Sequence, residues 1–216
     1  MSLEILYEDN HIIVCVKPVG ILSQEDYTKD MDMLTLIKQY IKDVYNKPGN
    51  VYLGLVHRLD RMTGGVMVFA KTSKAASRLN EQVRNHIFKK KYYAVVKGII
   101  NEDGHLENYL IKDEKEVKSY VGNSKSGKLA VLDYKVVNII DGNTLIDISL
   151  KTGRHHQIRV QFSNINHPLI GDSLYGETSK TDLMLYAYSL TFNHPISKEE
   201  LVFEKKPNIN LWNKYF

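Results

Sequence analysis

Residues 129–150 spell an antiparallel hairpin. Two apolar-rich stretches, 129–140 and 144–150, flank Asp141-Gly142-Asn143, a composition that turns a chain back on itself. In the second stretch Ile146, Ile148 and Leu150 alternate with Asp147 and Ser149, the period of a strand with one wet face. A hairpin commits its strands to antiparallel pairing, and the rest of the chain agrees. Residues 4–17 read as two short strands around Glu8-Asp9-Asn10, before Lys17-Pro18-Val19-Gly20 breaks the pattern. Val66 to Ala70 and Tyr92 to Val96 are also strand-like.

Helical spacing is less frequent. Leu34, Ile37, Ile41 and Val44 make an apolar stripe behind Asp30 and Asp32 as candidate caps, ending at Lys47-Pro48-Gly49-Asn50. Ser73 is a candidate cap for a second helix whose Ala76, Leu79 and Val83 share one face. A third helix is expected to start after Gly153, with Ile158 and Phe162 toward the core and His155 and Arg159 together on another face. Strands outnumber helices and do not alternate with them. This predicts an α+β fold with a mostly antiparallel sheet, not a doubly wound one. The polar stretch Lys112 to Lys128 is expected to be an exposed excursion within one domain.

Composition excludes several classes. Hydrophobic residues make up 43% of 216, enough to bury a core without staples. No stretch approaches the roughly 20 apolar residues that span a bilayer. The start, Met-Ser-Leu-Glu-Ile, lacks the basic-then-apolar pattern of a signal peptide, so a cytoplasmic protein is expected. The single cysteine, Cys15, excludes a disulfide framework or a Cys-based zinc site within one chain, and is expected to be a buried, inert thiol. Net charge is +4. From Arg84 to Lys97 there are five basic residues (Arg84, Lys89, Lys90, Lys91, Lys97) and no acid, with Tyr92 and Tyr93 among them. Cations beside aromatics suit a nucleic-acid surface.

Three segments can carry chemistry. In His57-Arg58-Leu59-Asp60-Arg61-Met62-Thr63-Gly64-Gly65, one carboxylate is flanked by two arginines and a histidine, and two glycines follow. A surface salt-bridge cluster, which contributes about 0–1 kcal/mol, is the plain alternative. The apolar stretches on both sides place the segment near the core, and the glycine pair admits a close backbone or ligand. An aspartate facing a positive surface can act as nucleophile toward a substrate carried on a polyanion. The second segment, Thr152 to Phe162, contains Gly153-Arg154-His155-His156-Gln157 and Arg159. Adjacent histidines on a helix point about 100° apart, and no acidic ligand set accompanies them, so no metal is expected. The third runs from Asn166 to Gly176, where His167-Pro168 and Gly171-Asp172 mark turns and Asp172 is read as a loop-shaping residue. No Gly-rich phosphate loop follows a strand, and no Ser nucleophile elbow is present.

Together and in order, these segments resemble the RluA-type family of pseudouridine synthases. The family's His-Arg-Leu-Asp-x-x-Thr-Ser-Gly is met from His57 to Gly65, with Gly64 for serine. Lys-x-Tyr-x-Ala-x-Val-x-Gly is met from Lys90 to Gly98. Gly-Arg-Thr-His-Gln-Ile-Arg-Val-His is met from Gly153 to Gln161, with His155 for threonine and Gln161 for the last histidine. A Gly-His-Pro-Ile-x-Gly-Asp-x-x-Tyr-Gly element is met from Asn166 to Gly176, and the opening Ile5 to Asp9 and Val16 to Gly20 also resemble the family's start.

The resemblance implies a single catalytic domain over residues 1–216, built on a central, mostly antiparallel mixed sheet flanked by helices. The catalytic pattern begins within the first few residues, leaving no room for the small RNA-binding domain that many relatives carry before it. It implies that Asp60 is the essential aspartate, that Tyr92 packs on the target uracil, and that Arg159 pairs with Asp60. Arg58 would enter the RNA stack and help hold the uridine flipped out, with His57, Arg61, Lys90, Arg154, His156 and Gln157 as further RNA contacts. The reaction detaches uracil from C1′ of the ribose, turns it and rejoins it through C5, without cofactor or metal. Asp60 attacks C6, attacks C1′, or acts as a base on the sugar, and all three remain open. The expected partner is structured ribosomal or transfer RNA, met by a monomer away from membranes. The alternatives are a non-catalytic RNA-binding module on the same fold and a nucleosidase-type hydrolase. The latter lacks a second carboxylate at a telling position.

Overall fold

The computed structural model describes residues 3–177, 181–208 and 211–216. In chain order the elements are β1 (Glu4–Glu8), β2 (Ile12–Lys17), α1 (Met33–Tyr45), β3 (Gly54–Leu55), β4 (Gly64–Ala70), α2 (Ser73–Arg84), β5 (Lys89–Lys97), β6 (Gly104–Asp113), β7 (Lys118–Gly122), β8 (Lys128–Ile140), β9 (Asn143–Leu150), α3 (Gln157–Asn164), β10 (Leu185–Asn193) and β11 (Glu200–Glu204). They fall into two compact units, residues 1–88 with 187–206 and residues 89–186 with 207–216.

The first unit orders its strands β1-β2-β4-β10, with β3 also on β4 and β11 also on β10. β1 meets β2 antiparallel with Ile5 opposite Cys15, and β2 meets β4 antiparallel with Val14 opposite Val68. Every residue of β2 and β4 is buried. A strand covered on both faces has no polar face to show, so these read as continuous apolar runs. Helix α2 lays Ala75, Ala76 and Leu79 against Ile12, Val14, Val68, Phe88 and Phe192. Asp32 caps α1, its side chain accepting from the Thr35 N–H, as expected. Helix α2 differs. Its cap is Thr72, which accepts from the Ala75 N–H at 3.1 Å, and Ser73 is the first helical residue. Both types can cap, so local chemistry leaves the choice to the approach of the chain. Val44, expected in the buried stripe of α1, is exposed, while Met33 joins Ile37 and Ile41 inside. Cys15 is buried, and burial pushes its thiol up to about 12, which makes it inert as expected.

The second unit orders its strands β5-β9-β8-β6-β7. β8 and β9 form the expected hairpin, pairing Ile140 with Asn143 across Asp141 and Gly142. Both turn residues are left-handed (φ 53° and 70°), the geometry that matches the twist of a two-residue hairpin. Ile158 and Phe162 of α3 are buried as the four-residue spacing requires, Phe162 edge-on to Tyr134. The helix starts later than expected. His156 is its N-cap in a left-handed conformation (φ 52°), so His155 lies before the helix and shares no helical face with Arg159. The excursion from Lys112 to Lys128 also differs from a plain loop. It contains β7, which pairs with β6 from Asp113–Lys118 to Tyr109–Gly122. The stretch is dense in charged residues, which hides strand periodicity. No helix among the described residues is long and apolar enough to cross a membrane.

Candidate active site

In the first unit, Asp60 sits in the loop between β3 and β4, half-buried between buried Leu59 and exposed Arg61. The backbone on both sides of it is fixed. The buried Ser23 hydroxyl donates to the Leu59 carbonyl at 2.8 Å and accepts from the Leu59 N–H at 3.0 Å. On the other side, the Arg61 carbonyl accepts from the Gly20 N–H at 2.9 Å and from Lys17 Nζ at 3.0 Å. The Thr63 N–H closes the loop onto the Asp60 carbonyl at 3.0 Å. Gly65 then lets the chain enter β4. It has φ 134°, and a Cβ there would lie 2.2 Å from the Ala187 carbonyl oxygen. The close approach anticipated from the glycine pair is thus made by another backbone.

Lys17 is wholly buried and donates to three carbonyls: Pro18 at 3.0 Å, Ile21 at 2.5 Å and Arg61. Burial pushes its ammonium down to about 7, and the Asp60 carboxylate opposes that shift. A buried cation therefore lies in the field of Asp60, held by the ends of the loop that carries it.

The flanking residues divide by position. Arg58 is exposed. Arg61 donates through Nε to the Gly20 carbonyl at 3.1 Å and pairs with Asp30 at 2.7 Å, both groups being about half exposed. His57 is a core residue. Its ring packs against Phe88 at 5.4 Å, and its Nε2 accepts from the Val68 N–H at 3.2 Å. Its expected place on an RNA surface is corrected by this burial, which comes from the apolar flanks of its own segment.

In the second unit, Tyr92 is buried on β5 opposite Ile148. Lys90 is part-buried two residues earlier, on the same face. Arg159 projects from α3 and makes a two-pronged pair with Asp172: Nε to Oδ2 at 2.7 Å and Nη2 to Oδ1 at 2.7 Å. The Asp172 side chain is wholly buried and the Arg159 side chain 11% exposed. Asp172 also accepts from the N–H groups of Leu174 and Tyr175. It shapes its loop, as read from sequence, and it also sets the guanidinium. Tyr175 completes the seat, its ring 5.1 Å from Arg159 Cζ.

The two histidines stack on each other, ring centres 3.8 Å apart, because the left-handed turn at His156 folds the rings together. The expectation that they diverge assumed a helix at this point. His155 Nδ1 lies 2.9 Å from the Ser119 hydroxyl, and His156 Nδ1 lies 3.0 Å from the Tyr175 hydroxyl. The Tyr175 hydroxyl oxygen also accepts from the Ser119 N–H at 2.7 Å, so it joins β7 to the turn before α3.

Gln157 is buried, and its amide is spent on its own loop. Oε1 accepts from Thr152 Oγ1 and the Arg154 N–H, and Nε2 donates to the Val131 carbonyl. It builds the turn instead of facing RNA. Arg154 stays exposed, Nε on the Leu129 carbonyl. Gln161, one of the departures from the family pattern, is wholly buried and ties α3 to the Leu106 and Ala130 carbonyls and to Asn108.

Residues 11–164 match the protein family described as RNA pseudouridylate synthase. The chain belongs to that family. It is 35% identical over 221 residues to ribosomal large subunit pseudouridine synthase D of Neisseria meningitidis, covering 94% of this chain and 58% of that protein. It is 30% identical over 239 residues to tRNA pseudouridine synthase C of Vibrio parahaemolyticus, covering 100% of this chain and 94% of that protein. A solved structure of human RNA pseudouridylate synthase domain containing 4 superposes with a TM-score of 0.80 at 23% identity, over 95% of this chain and 89% of that one, a likeness of fold. The pseudouridylate synthase match contains Asp60, Tyr92 and Arg159, and ends before Asp172 and Tyr175, the residues that seat Arg159. Lys17 and Ser23, which hold the backbone on either side of Asp60, lie outside the three segments that can carry chemistry. A lysine ending the apolar run Ile12 to Val16 is the signal that could have found the first; Ser23 carries none.

Proposed function

We propose that this chain isomerises uridines in structured RNA to pseudouridine, with Asp60 as the catalytic carboxylate and Tyr92 and Arg159 as its partners. The family match and the curated relatives, named for ribosomal and transfer RNA, support the reaction and the substrate class. The observation that carries the assignment of Asp60 is the double clamp on its loop. A carboxylate held on either side by Ser23 and Lys17, yet itself half-exposed, is preorganised for an attack or a proton transfer. The two units act as one catalytic domain, and the enzyme works as a cytoplasmic monomer.

A uridine inside a helix is out of reach, so it is extruded at a cost of a few kcal/mol. Stacking on Tyr92 returns about 1–3 kcal/mol of this. Arg58 and Arg154 are exposed cations suited to the backbone around the extruded nucleotide. The test is Asp60→Asn with unmodified transfer and ribosomal RNA transcripts. RNA binding persists and pseudouridine formation falls below detection. Wild-type yield from this variant refutes the role of Asp60, and release of free uracil by the unaltered protein would show a hydrolase instead.

A further inference from the structure

Lys17, Lys71 and Lys90 are each buried or part-buried, and the first two are satisfied from within the protein. Lys17 spends its donors on three carbonyls, and Lys71 pairs with Glu8 while both side chains are nearly covered. Lys90 is the exception. Among the described residues it has neither an ion-pair partner nor a hydrogen-bond acceptor, and burial alone lowers its pKa. A desolvated cation without an opposite charge is disfavoured unless a ligand supplies one.

The surroundings leave room for that ligand. A Cβ at Gly153 would lie 3.0 Å from Lys90 Nζ, so the missing side chain keeps the space beside the ammonium open. Gly153 leads into the turn before α3, whose N-cap His156 makes no side-chain cap bond. The first N–H groups of that helix add to the positive potential at this end. Lys90 and Tyr92 alternate onto one face of β5, about 6.8 Å apart along the strand, on the order of the reach from a nucleotide's base to its own backbone.

We propose that Lys90 and the open space at Gly153 form a phosphate subsite, which takes a backbone phosphodiester of the RNA next to the uridine that Tyr92 receives. This rests on the reading of the chain as an RNA pseudouridine synthase. The subsite makes the extruded nucleotide's backbone, not only its base, part of what the enzyme grips.

The experiment measures affinity for an unmodified transfer RNA transcript against salt concentration, for the wild type, Lys90→Met, Lys90→Arg and Gly153→Ala. Lys90→Met weakens binding about tenfold at low salt and reduces the slope of log affinity against log salt by about 0.7–0.9, the contribution of one phosphate contact. Lys90→Arg restores most of the slope, since it keeps the charge. Gly153→Ala shifts affinity in the same direction by filling the space. A Lys90→Met slope equal to wild type overturns the proposal, as does a variant that unfolds, because the ammonium is then a structural group. Conversion by Asp60→Asn reports separately on the reaction itself, so a failed subsite and a failed reaction are told apart.

Discussion

Arg159 shows how one side chain is set by a separate stretch of sequence. Its guanidinium is planar and five-donor, so a carboxylate can fix its orientation by taking one edge. Asp172 takes the Nε–Nη2 edge from a wholly buried position, and the ring of Tyr175 covers one face. The Gly-Asp-x-x-Tyr-Gly element therefore acts on the arginine of the element before it. Breaking a buried pair leaves an uncompensated charge, which costs about 3–5 kcal/mol. Asp172→Asn is accordingly expected to lower the melting temperature by roughly 6–20 °C and to reduce turnover more than RNA affinity, which calorimetry and single-turnover assays would measure. An unchanged melting temperature would show that Asp172 does not set Arg159. The pair was not legible in the sequence. Both residues were noticed, but 13 positions and a left-handed turn separate them, and nothing in spacing says that the two side chains meet. Asp60 stands out in the sequence as a candidate because its neighbours repeat a recognisable pattern. Its clamp is harder to read, because Ser23 and Lys17 act on backbone groups, and only the lysine that ends an apolar run leaves a trace in the sequence.

At the level of elements, the most readable piece was the β8–β9 hairpin, where alternation and an Asp-Gly turn agree. The least readable was the region around α3. Gly153 looked like a helix start, but the amide of Gln157 folds back on Thr152 and Arg154 and makes the turn before the helix. Once formed, α3 is fastened to the sheet by Gln161, whose amide reaches the Leu106 and Ala130 carbonyls and Asn108. The family pattern has a histidine there. Gln161 thus serves packing of the helix on the sheet. Gln161→Leu removes the donor and leaves buried carbonyls unpaired, at about 1–3 kcal/mol for each group. The expected result is a lower urea midpoint with the catalytic pH profile unchanged, and a shifted profile would place Gln161 in the chemistry.

Across the whole molecule, the chain matches its relatives over nearly all its length and carries Asp60, Tyr92 and Arg159, the residues proposed for catalysis, in order. It spans 58% of the Neisseria meningitidis relative and 94% of the Vibrio parahaemolyticus one, whose names point to ribosomal and transfer RNA respectively. In the second unit, Tyr120 on β7 and Lys89 and Lys91 at the start of β5 are exposed to solvent. The most direct test maps pseudouridine across all cellular RNA with the protein present, absent, and replaced by Asp60→Asn. One or more ribosomal or transfer RNA positions should lose the modification without the protein and regain it only with the unaltered chain. An identical map in all three cells would contradict the assignment.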